Sequence, residues 1–481
     1  MKRSARPVQF SRHGRTPKGA EVERYELLVI GGGPAGYSAA LTAARKGARV
    51  ALIEKDHPGG TCLNRGCIPT KAFVRAAHLW RELKAASRFG IAAGEPVLDW
   101  AAVRARVERV VENQRKGLRS LLKAWGVEIL EGRGEVFAPG RVRVFGGGEM
   151  REYEFSNLVV ATGSEPIMLD ALPHDGKVIL DSTDALSLPS LPSSMVVVGG
   201  GVIGCEFACL FASFGVAVTV VELLPSLLPM VDEEVVRHLL RSMRRLKIKV
   251  FTGARIVKGS AEGGAFRGEL EDGRTLEADC CLVAVGRRPC AGGAGLERLN
   301  LPASGPLEVD DRCRTAAEDV YAAGDVTGRW MLAHSAYRMG ETAAANALGG
   351  DETVSGLTVP NGIFTVPEIG TVGLTEREAE ERYGKALVGR WLYRPLGRAQ
   401  AGEETDGMFK LVADPSGVLV GAHIVGANAT DLIAEAALAV QHRMTLEQIA
   451  ATVHSHPTFA EGMQEAAAAA LGVALHSPPS R

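Results

Sequence analysis

A βαβ motif occurs twice in this 481-residue chain, and it constrains the fold more than any other sequence feature. In the first copy an apolar run leads into GGGPAG, which begins at Gly31, then into a helical stretch and a second apolar run that ends at Glu54. The second copy has the same order, with GGGVIG beginning at Gly199 and the acid at Glu222. The acid follows the first glycine by 23 positions in both copies. This repeat predicts an α/β fold with two Rossmann-like dinucleotide-binding domains.

Each glycine of these two fingerprints has its own physical role. The first permits a tight turn, the second lets the backbone approach a pyrophosphate, and the third lets helix and strand pack closely. The helix N-terminus supplies amide donors for the pyrophosphate, and the acid can bind an adenosine ribose through its hydroxyls. A carboxylate repels the 2′-phosphate of NADP, so the second site is predicted to prefer NAD. A glycine-rich turn without a ligand is the alternative, which two matching copies disfavour. The predicted contacts are Gly31, Gly33, Gly36 and Glu54 for the first dinucleotide and Gly199, Gly201, Gly204 and Glu222 for the second.

A close pair of cysteines, Cys62 and Cys67, lies in the segment GGTCLNRGCIPTK. Four residues separate the pair, so the sulfurs can form a disulfide where a turn enters a helix, and Lys71 lies one helical turn further on. A helix N-terminus and a nearby cation make a thiol reactive. A zinc site needs two more ligands, which no neighbouring cluster supplies, and inert buried cysteines are the other alternative. The segment therefore predicts a redox pair that is chemically matched to a flavin.

Four other cysteines are predicted to pack in the core. Cys205 and Cys209 stand one turn apart on the helix of the second fingerprint, and Cys280 and Cys281 lie in an apolar strand. A structural disulfide framework is not expected in a long chain without a signal peptide.

The segment HSHPTFAE runs from His454 to Glu461. Thiol chemistry near neutral pH needs a base, and histidine titrates in the right range. Glu461 is close enough in sequence to orient the ring of His456. On the residues alone, the alternatives are loop histidines without a catalytic role and a metal site formed by His454 and His456.

Charge and hydropathy argue against several classes of protein. The formal net charge is -1, so no bulk field favours nucleic acid or anionic lipid. Two apolar runs, 27–44 and 195–221, are broken by glycines or by Glu206, and buried parallel strands produce such runs without a membrane. Residues 1–20 carry six basic side chains, no acid and no apolar stretch typical of a secretory signal. They predict a flexible tail, or a docking arm for a partner, on a cytoplasmic protein.

With these motifs in place, the chain resembles the class I pyridine nucleotide–disulfide oxidoreductases from about residue 25 to about residue 465. The resemblance is carried by the segment from Gly60 to Lys71, by Gly324-Asp325-Val326, and by the segment from His454 to Glu461. The segment MLAH, residues 331–334, is closest to the dihydrolipoamide dehydrogenase version of the family. Two departures stand in the redox segment, Arg65 in place of a small apolar residue and Thr70 in place of serine.

The resemblance implies roles for individual residues. Cys62 is expected to be the interchange thiol that meets the substrate, and Cys67 the thiol that faces the flavin. Lys71 is expected near the flavin with Glu206 as its carboxylate partner. His456 is the expected base, oriented by Glu461, and it reaches the cysteine pair of the other subunit of a homodimer. Further expected cofactor contacts are Gly134, Thr162, Gly163, Asp325 and Ala333 for FAD and Gly286 for NAD.

The same resemblance implies the architecture and the reaction. The expected order is a basic tail at 1–23, an FAD domain at 24–170 and 291–357, an NAD domain at 171–290, and an α+β dimerisation domain at 358–481. The expected reaction is oxidation of protein-bound dihydrolipoamide with reduction of NAD, through the cysteine pair and tightly but non-covalently bound FAD, with no metal. A lipoyl-bearing protein, or a small dithiol or disulfide, is the expected partner. The alternatives are an NAD(P)H-dependent reductase of another disulfide and a non-catalytic redox-sensing flavoprotein.

Overall fold

Strands and helices alternate along residues 22–92 and 94–476, the part of the chain that this computed structural model describes. The strands are β1 Glu23–Ile30, β2 Val50–Glu54, β3 Glu128–Glu131, β4 Arg133–Ala138, β5 Arg141–Gly146, β6 Glu149–Val160, β7 Ser164–Pro166, β8 Ile179–Leu180, β9 Ser194–Val198, β10 Ala217–Val221, β11 Lys249–Phe251, β12 Ile256–Glu262, β13 Ala265–Leu270, β14 Thr275–Ala278, β15 Cys280–Val283, β16 Arg287–Pro289, β17 Val320–Ala322, β18 Asn361–Ile363, β19 Glu368–Gly373, β20 Leu387–Leu392, β21 Met408–Ala413 and β22 Leu419–Gly426.

Helices form the other regular secondary structure of the described residues. They are α1 Pro34–Arg45, α2 Gly60–Arg65, α3 Cys67–Ala85, α4 Trp100–Ala124, α5 Ser182–Leu186, α6 Val202–Ser213, α7 Glu233–Arg245, α8 Ala333–Ala347, α9 Glu376–Tyr383, α10 Gly397–Ala401, α11 Ala429–Gln441, α12 Leu446–Ala451 and α13 Glu461–Ala470, with 3₁₀ helices at Ala86–Phe89, Leu296–Leu299 and Asp325–Thr327.

The first of two compact units comprises the described residues up to Asn64 together with Glu112–Glu165 and Arg288–Ser355. Its sheet has the strand order β3-β2-β1-β6-β5-β4, with β17 paired to β6. The strand before the first fingerprint, β1, lies between β2 and β6 and runs parallel to both. Helices α1 and α8 pack so closely that a Cβ on Gly340 would lie 2.1 Å from the carbonyl oxygen of Ala35. The first predicted βαβ unit is confirmed.

The second unit comprises the described residues of Arg65–Val111, Pro166–Arg287 and Gly356–Arg481. It contains a parallel sheet of order β11-β10-β9-β15-β8, an antiparallel sheet β12-β13-β14, and an antiparallel sheet of order β18-β19-β22-β21-β20. The strand before the second fingerprint, β9, lies between β10 and β15 and is parallel to both, like β1 in the first unit. The second copy of the repeat is therefore confirmed, and the C-terminal sheet with α11 and α13 gives the predicted α+β part.

Several boundaries differ from the expectation. Most of the predicted tail, residues 1–21, lies outside the described residues, and β1 already begins at Glu23. Part of the predicted FAD domain, Arg65–Val111, clusters with the second unit. The domain boundaries stay a prediction. The two apolar runs are each divided between strands and helices. Residues 27–44 lie in β1 and α1, and residues 195–221 lie in β9, α6 and β10. Among the described residues, none of the helices is long and apolar enough to span a bilayer.

A buried ion network ties α7, α9 and β21 together in the second unit. The amine of Lys410, whose side chain is only 3% exposed, lies 2.8 Å from both carboxylate oxygens of Asp232, 2.6 Å from Glu376 and 3.2 Å from Glu234. Arg390 adds a second cation, 2.7 Å from Glu234 and 2.6 Å from Glu376. Burial alone would raise the pKa of Asp232, but its hydrogen bonds and charge contact with Lys410 outweigh burial and lower that pKa.

Replacing Lys410 with methionine is expected to lower the free energy of unfolding by about 3–5 kcal/mol, because Asp232 would then be a buried carboxylate without its cation. The loss should persist at neutral pH. Because the folded-state pKa of Asp232 lies below 3.8, its stabilising contribution is present above that value and disappears as the pH falls through the folded-state pKa. Denaturant unfolding across pH measures this. Lys249→Met, at an exposed position of β11, is the matched control, and an equal loss there would contradict the assignment.

Candidate active site

The first fingerprint has the backbone geometry that its glycines predict. Gly31 adopts φ +102°, and a Cβ there would lie 2.3 Å from the carbonyl oxygen of Ala161. A Cβ on Gly36 would lie 1.7 Å from the carbonyl oxygen of Gly31, so the turn and the helix can pack only without side chains. At Gly33 the nearest atom to a Cβ is 3.8 Å away. The middle glycine is thus in no more than ordinary van der Waals contact at the start of α1.

The second fingerprint repeats this geometry almost atom for atom. Gly199 adopts φ +110°, with a Cβ position 2.3 Å from the carbonyl oxygen of Ala284. A Cβ on Gly204 would lie 1.9 Å from the carbonyl oxygen of Gly199, whereas a Cβ on Gly201 would meet nothing within 4 Å among the described atoms. Both middle glycines therefore lie uncrowded at a helix N-terminus whose amides no side chain caps, and Gly201 borders open space. Such a cradle fits a pyrophosphate.

The acid at the end of each second strand is bonded back to its own fingerprint. Glu54 accepts a hydrogen bond from the amide of Gly32 at 2.7 Å, and Glu222 accepts one from the amide of Gly200 at 2.5 Å. In each case the second carboxylate oxygen accepts the amide two residues further along the chain. Both side chains belong to residues that are 8% exposed. These bonds to backbone donors fix the carboxylates as acceptors, and their remaining lone pairs can accept ribose hydroxyls.

Further predicted FAD contacts lie at the carboxyl ends of β6 and β17 in the first unit. The hydroxyl of Thr162 is buried and has no hydrogen-bond partner among the described atoms. Gly163 adopts φ +79°, and Ser164 donates a hydrogen bond of 2.5 Å to the carboxylate of Asp325, which opens a 3₁₀ helix. A buried hydroxyl without a partner costs free energy unless a ligand bonds to it. This edge of the sheet therefore fits a polar cofactor.

The remaining predicted cofactor residues occupy backbone positions. Ala333 is the first residue of α8, where no side chain caps the helix. Gly134 lies in β4, and a Cβ there would be 3.1 Å from Ile53 in the core. Gly286 adopts φ +122° just after β15. For Gly134 the structure shows a packing role, and its FAD contact stays a prediction.

The cysteines separate into two classes by burial. Cys67, the first residue of α3, is exposed, and Cys62, in the one-turn helix α2, is half-buried. Cys62 thus lies within a helix and not in a turn leading to one. Burial raises the pKa of Cys209 and that of Cys280, each to about 12, so these thiols are inert near neutral pH. The core role predicted for Cys205, Cys209, Cys280 and Cys281 is confirmed.

The departure at Thr70 is conservative in this structure. Thr70 lies in the first turn of α3, where it is 3% exposed. Its hydroxyl donates a hydrogen bond of 2.7 Å to the carbonyl oxygen of Gly66. A serine hydroxyl could donate the same bond.

Lys71 and Glu206 are paired, as expected. The amine of Lys71 lies 2.8 and 3.0 Å from the two carboxylate oxygens of Glu206, whose side chain is 6% exposed. Phe364, which the sequence did not indicate, contacts both partners. Its amide donates to Glu206 at 2.8 Å, and its ring lies 4.4 Å from the Lys71 amine in a cation–π contact. The lysine amine is therefore held by a charge, a hydrogen bond and an aromatic face.

His456 and Glu461 form the predicted histidine–acid pair. Nδ1 of His456 lies 2.8 Å from Oε1 of Glu461, and the amide of Thr458 donates to the other oxygen at 2.9 Å. The imidazole is 75% exposed, so its other nitrogen is open to solvent or to another molecule. Burial on its own would raise the pKa of Glu461, but the hydrogen bonds from His456 and Thr458 outweigh it and lower that pKa. The carboxylate is thus ionised near neutral pH and can orient the ring.

His454 has a separate role in the same segment. Its Nε2 lies 2.9 Å from the carboxylate of Glu435 on α11, and its Nδ1 lies 2.9 Å from the carbonyl oxygen of Thr452. The side chain is 6% exposed. These contacts account for His454 as an anchor of the segment that carries His456, a pairing that no sequence pattern indicated because Glu435 lies 19 residues away.

Comparison with known proteins identifies the family. Residues 25–340 match the family described as pyridine nucleotide-disulphide oxidoreductase, and residues 359–467 match the dimerisation domain of that family. The chain belongs to the pyridine nucleotide-disulphide oxidoreductases. The family and the fold class predicted from the sequence are confirmed, and the chain carries the dimerisation domain of that family.

The relatives and solved structures agree with this assignment. The chain is 42% identical to dihydrolipoyl dehydrogenase 2 of Haloarcula marismortui over 462 residues, which cover 94% of this chain and 98% of the relative. It is 38% identical to the dihydrolipoyl dehydrogenase of Bacillus subtilis, covering 94% and 100% of the two chains. It superposes on the crystal structure of LpdA from Mycobacterium tuberculosis with a TM-score of 0.86 at 32% identity, covering 93% and 99%.

The cofactors predicted from the sequence, FAD and NAD, are those of this family, and the chain has the residues to hold them. The open cradles at Gly33 and Gly201 and the unpartnered hydroxyl of Thr162 are features that a bound dinucleotide would complete. The chain is therefore an FAD-dependent oxidoreductase that uses NAD.

Replacing Gly201 with alanine is expected to leave the fold and the flavin content unchanged and to raise KM for NAD about tenfold or more, since the new methyl would occupy the pyrophosphate space. Backbone strain does not interfere, because Gly201 has φ -75° and ψ -173°, an extended conformation that alanine also adopts. Flavin absorbance and NAD saturation curves measure the two effects. Gly117→Ala, at an open position in α4, is the control, and an unchanged KM in Gly201→Ala would argue against the cradle.

Proposed function

We propose that this protein oxidises protein-bound dihydrolipoamide to lipoamide and reduces NAD through Cys62, Cys67 and FAD. The observation that carries the proposal is the redox segment. Cys62 and Cys67 remain accessible at a helix junction while the core cysteines are buried, in a chain that matches dihydrolipoyl dehydrogenases over 94% of its length. The histidine–acid pair and the Lys71–Glu206 pair supply the remaining acid–base and charge requirements.

The thiol chemistry follows from the chain's own residues. His456, oriented by Glu461, accepts the proton of one dihydrolipoyl thiol, and the resulting thiolate attacks Cys62 of the Cys62–Cys67 disulfide. The bond between the two protein sulfurs breaks, and Cys67 leaves as a thiolate. The second substrate thiol then loses its proton to His456, which has released the first to solvent, and attacks the substrate sulfur of the mixed disulfide. Lipoamide is released, and the protein retains two electrons as cysteine thiolates.

The remaining site residues position the cofactors in this proposal. Bound FAD would supply a two-electron acceptor that passes the pair from the cysteines to NAD as a hydride. Lys71, held by Glu206, is proposed to place its charge beside the flavin ring. The first fingerprint with Glu54, Gly134, Thr162, Gly163, Asp325 and Ala333 would hold FAD, and the second fingerprint with Glu222 and Gly286 would hold NAD.

The assembly is proposed from the dimerisation domain. We infer a homodimer in which His456 of the partner subunit serves the cysteine pair, since the exposed ring nitrogen of this residue is open to another molecule. The further partner is a lipoyl-bearing protein, in keeping with the names of the relatives. A cytoplasmic location is proposed because the six cysteines outside the redox pair, which are buried or half-buried, form no disulfide with one another.

Steady-state turnover with dihydrolipoamide and NAD under anaerobic conditions tests the proposal. We expect saturable NADH production and, on two-electron reduction, a long-wavelength thiolate-to-flavin charge-transfer band. Undetectable turnover would remove the lipoyl assignment. A panel of other disulfides with NADH and NADPH would then show whether the alternative, a reductase of a different disulfide, is correct.

A further inference from the structure

Arg115 on α4 is bonded to the middle of the redox segment. Its Nε donates a hydrogen bond of 2.5 Å to the side-chain oxygen of Asn64, which stands between the two redox cysteines in sequence. The Arg115 side chain is 28% exposed, so the contact is partly shielded from water. The exposed carboxylate of Glu112, one turn earlier on α4, is 4.0 Å from the guanidinium. The shorter of these two contacts of Arg115 is therefore its hydrogen bond to Asn64, in the segment that carries Cys62.

Asn64 also forms hydrogen bonds to the backbone of the preceding residues. Its side-chain nitrogen donates to the carbonyl oxygen of Gly60 at 2.8 Å and to that of His57 at 3.1 Å. The orientation of the amide is determined, because its oxygen faces a donor and its nitrogen faces acceptors. Asn64 therefore closes α2, the one-turn helix that contains Cys62, back onto the residues that precede it.

The other side of this turn lies against the first fingerprint. The amide of Gly59 donates to the carbonyl oxygen of Gly32 at 2.7 Å. A Cβ on Gly60, which has φ +56°, would lie 2.6 Å from the Cα of Gly33. The segment that carries Cys62 is therefore held between the dinucleotide fingerprint on one side and Arg115, acting through Asn64, on the other.

We propose that Arg115 is a positioning residue of the redox centre, which acts through Asn64 to hold the Cys62-bearing helix against the dinucleotide fingerprint and to place a permanent positive charge at Asn64, two residues from the interchange thiol. The assignment rests on the proposed function for its kinetic consequence only. Arginine is protonated at every pH of interest, so its charge favours the thiolate, and with it the reduced state of the pair. The planar fork fixes the amide of Asn64, a role that the flexible amine of lysine does not reproduce.

Two measurements test the two parts of this role. Equilibration of Cys62 and Cys67 with reduced and oxidised glutathione reports the disulfide–dithiol balance, in which two glutathione thiols reduce the protein disulfide and are recovered as glutathione disulfide. Steady-state turnover with dihydrolipoamide reports positioning. For Arg115→Leu we expect the balance to shift about fivefold toward the protein disulfide, from the lost charge within a few ångströms of the segment. We expect kcat/KM to fall about tenfold, from the lost charge-assisted hydrogen bond.

The variants separate charge from geometry. Arg115→Lys keeps the charge, so its glutathione balance should stay within about twofold of the wild type while kcat/KM still falls. Because Arg115 acts through Asn64, the double variant Arg115→Leu with Asn64→Ala should lose no more kcat/KM than Asn64→Ala alone. Arg119→Leu is the matched control. Arg119 lies one turn after Arg115 on α4, and its replacement removes a surface ion pair with Glu131. Both readouts should stay within about twofold of the wild type.

The outcomes are decisive in both directions. If Arg115→Leu matches Arg119→Leu in both readouts, or if the losses at Arg115 and Asn64 multiply, the assignment is wrong. Should Arg115→Leu fail to fold, Arg115→Lys and Asn64→Ala still test it, since both must lower kcat/KM. A wild-type protein that does not turn over dihydrolipoamide would overturn the proposed function, and the glutathione balance would still decide the role of Arg115.

Discussion

Cys62→Ser is expected to abolish dihydrolipoamide oxidation, with a loss of more than about 10⁴-fold in kcat. Serine cannot form the mixed disulfide, and without the disulfide the substrate's electrons have no thiol route to the flavin. The substitution replaces one atom in α2, where Cys62 is half-buried, so flavin content and thermal stability should stay close to those of the wild type.

The control for this prediction is another cysteine of intermediate exposure. Cys290→Ser alters a thiol of the first unit that lies outside both fingerprints and outside the redox segment, and we expect its activity to remain within about twofold of the wild type. Turnover, flavin absorbance and the charge-transfer band are measured together on both variants. A Cys62→Ser protein that still oxidises dihydrolipoamide at a substantial rate would require a different electron path.

His456→Gln is expected to lower kcat/KM by about 10²–10⁴-fold, the usual contribution of a positioned general base. Glu461→Gln should have a smaller effect, since it removes the negative charge beside the ring but keeps an amide oxygen that can accept the hydrogen bond from Nδ1. The matched control is His476, whose Nδ1 pairs with Glu465 at 2.6 Å and whose side chain is 76% exposed, nearly the same geometry in the same unit. His476→Gln should leave turnover unchanged, and comparable losses in both histidine variants would refute the assignment of the base.

The pH dependence of this pair has a determined sign. The pKa of Glu461 is lowered below 4.5, because its hydrogen bonds outweigh burial. The ionised carboxylate therefore contributes fully to folding stability above its unfolded-state pKa, and this contribution is lost as the pH falls through the lower folded-state pKa. Protonation of Glu461 therefore cannot cause a loss of activity between about pH 7 and pH 5. An acid limb in that range should therefore be present in the rate profiles of both the wild type and Glu461→Gln. An acid limb that disappears in Glu461→Gln would contradict this reading.

The sequence was most informative where structure depends on neighbouring residues. The two fingerprints were predicted at the observed strand ends, because a tight turn, an open cradle and a close helix–strand contact require glycine at fixed local spacings. The clash distances at Gly36 and Gly204, 1.7 and 1.9 Å, show how little choice the backbone leaves there. The pairing of His456 with Glu461 is similar, since five positions separate them and a helix begins at the acid.

Contacts between distant segments were predicted only where the family resemblance supplied them. Lys71 and Glu206 are separated by 135 positions, and nothing local to either residue identifies the other. Phe364 donates a backbone hydrogen bond to Glu206, and its ring contacts the amine of Lys71. The sequence did not indicate it, because an aromatic residue after a short strand is typical of an ordinary hydrophobic core. The departure at Arg65 drew notice in the sequence, whereas the arginine that bonds to Asn64 is Arg115, 51 positions along the chain.

The sequence by itself therefore determined the two dinucleotide folds, the redox segment and the histidine–acid pair, since backbone sterics and short-range spacing dictate these features within some 25 residues. Only the tertiary structure decided which side chains hold these features in place. The contacts are the hydrogen bonds from backbone amides to Glu54 and Glu222, the Phe364 ring against Lys71, the pairing of His454 with Glu435 and the hydrogen bond of Arg115 to Asn64. Such contacts depend on how sheets and helices bring distant segments to hydrogen-bonding distance, and residue spacing carries no record of that distance.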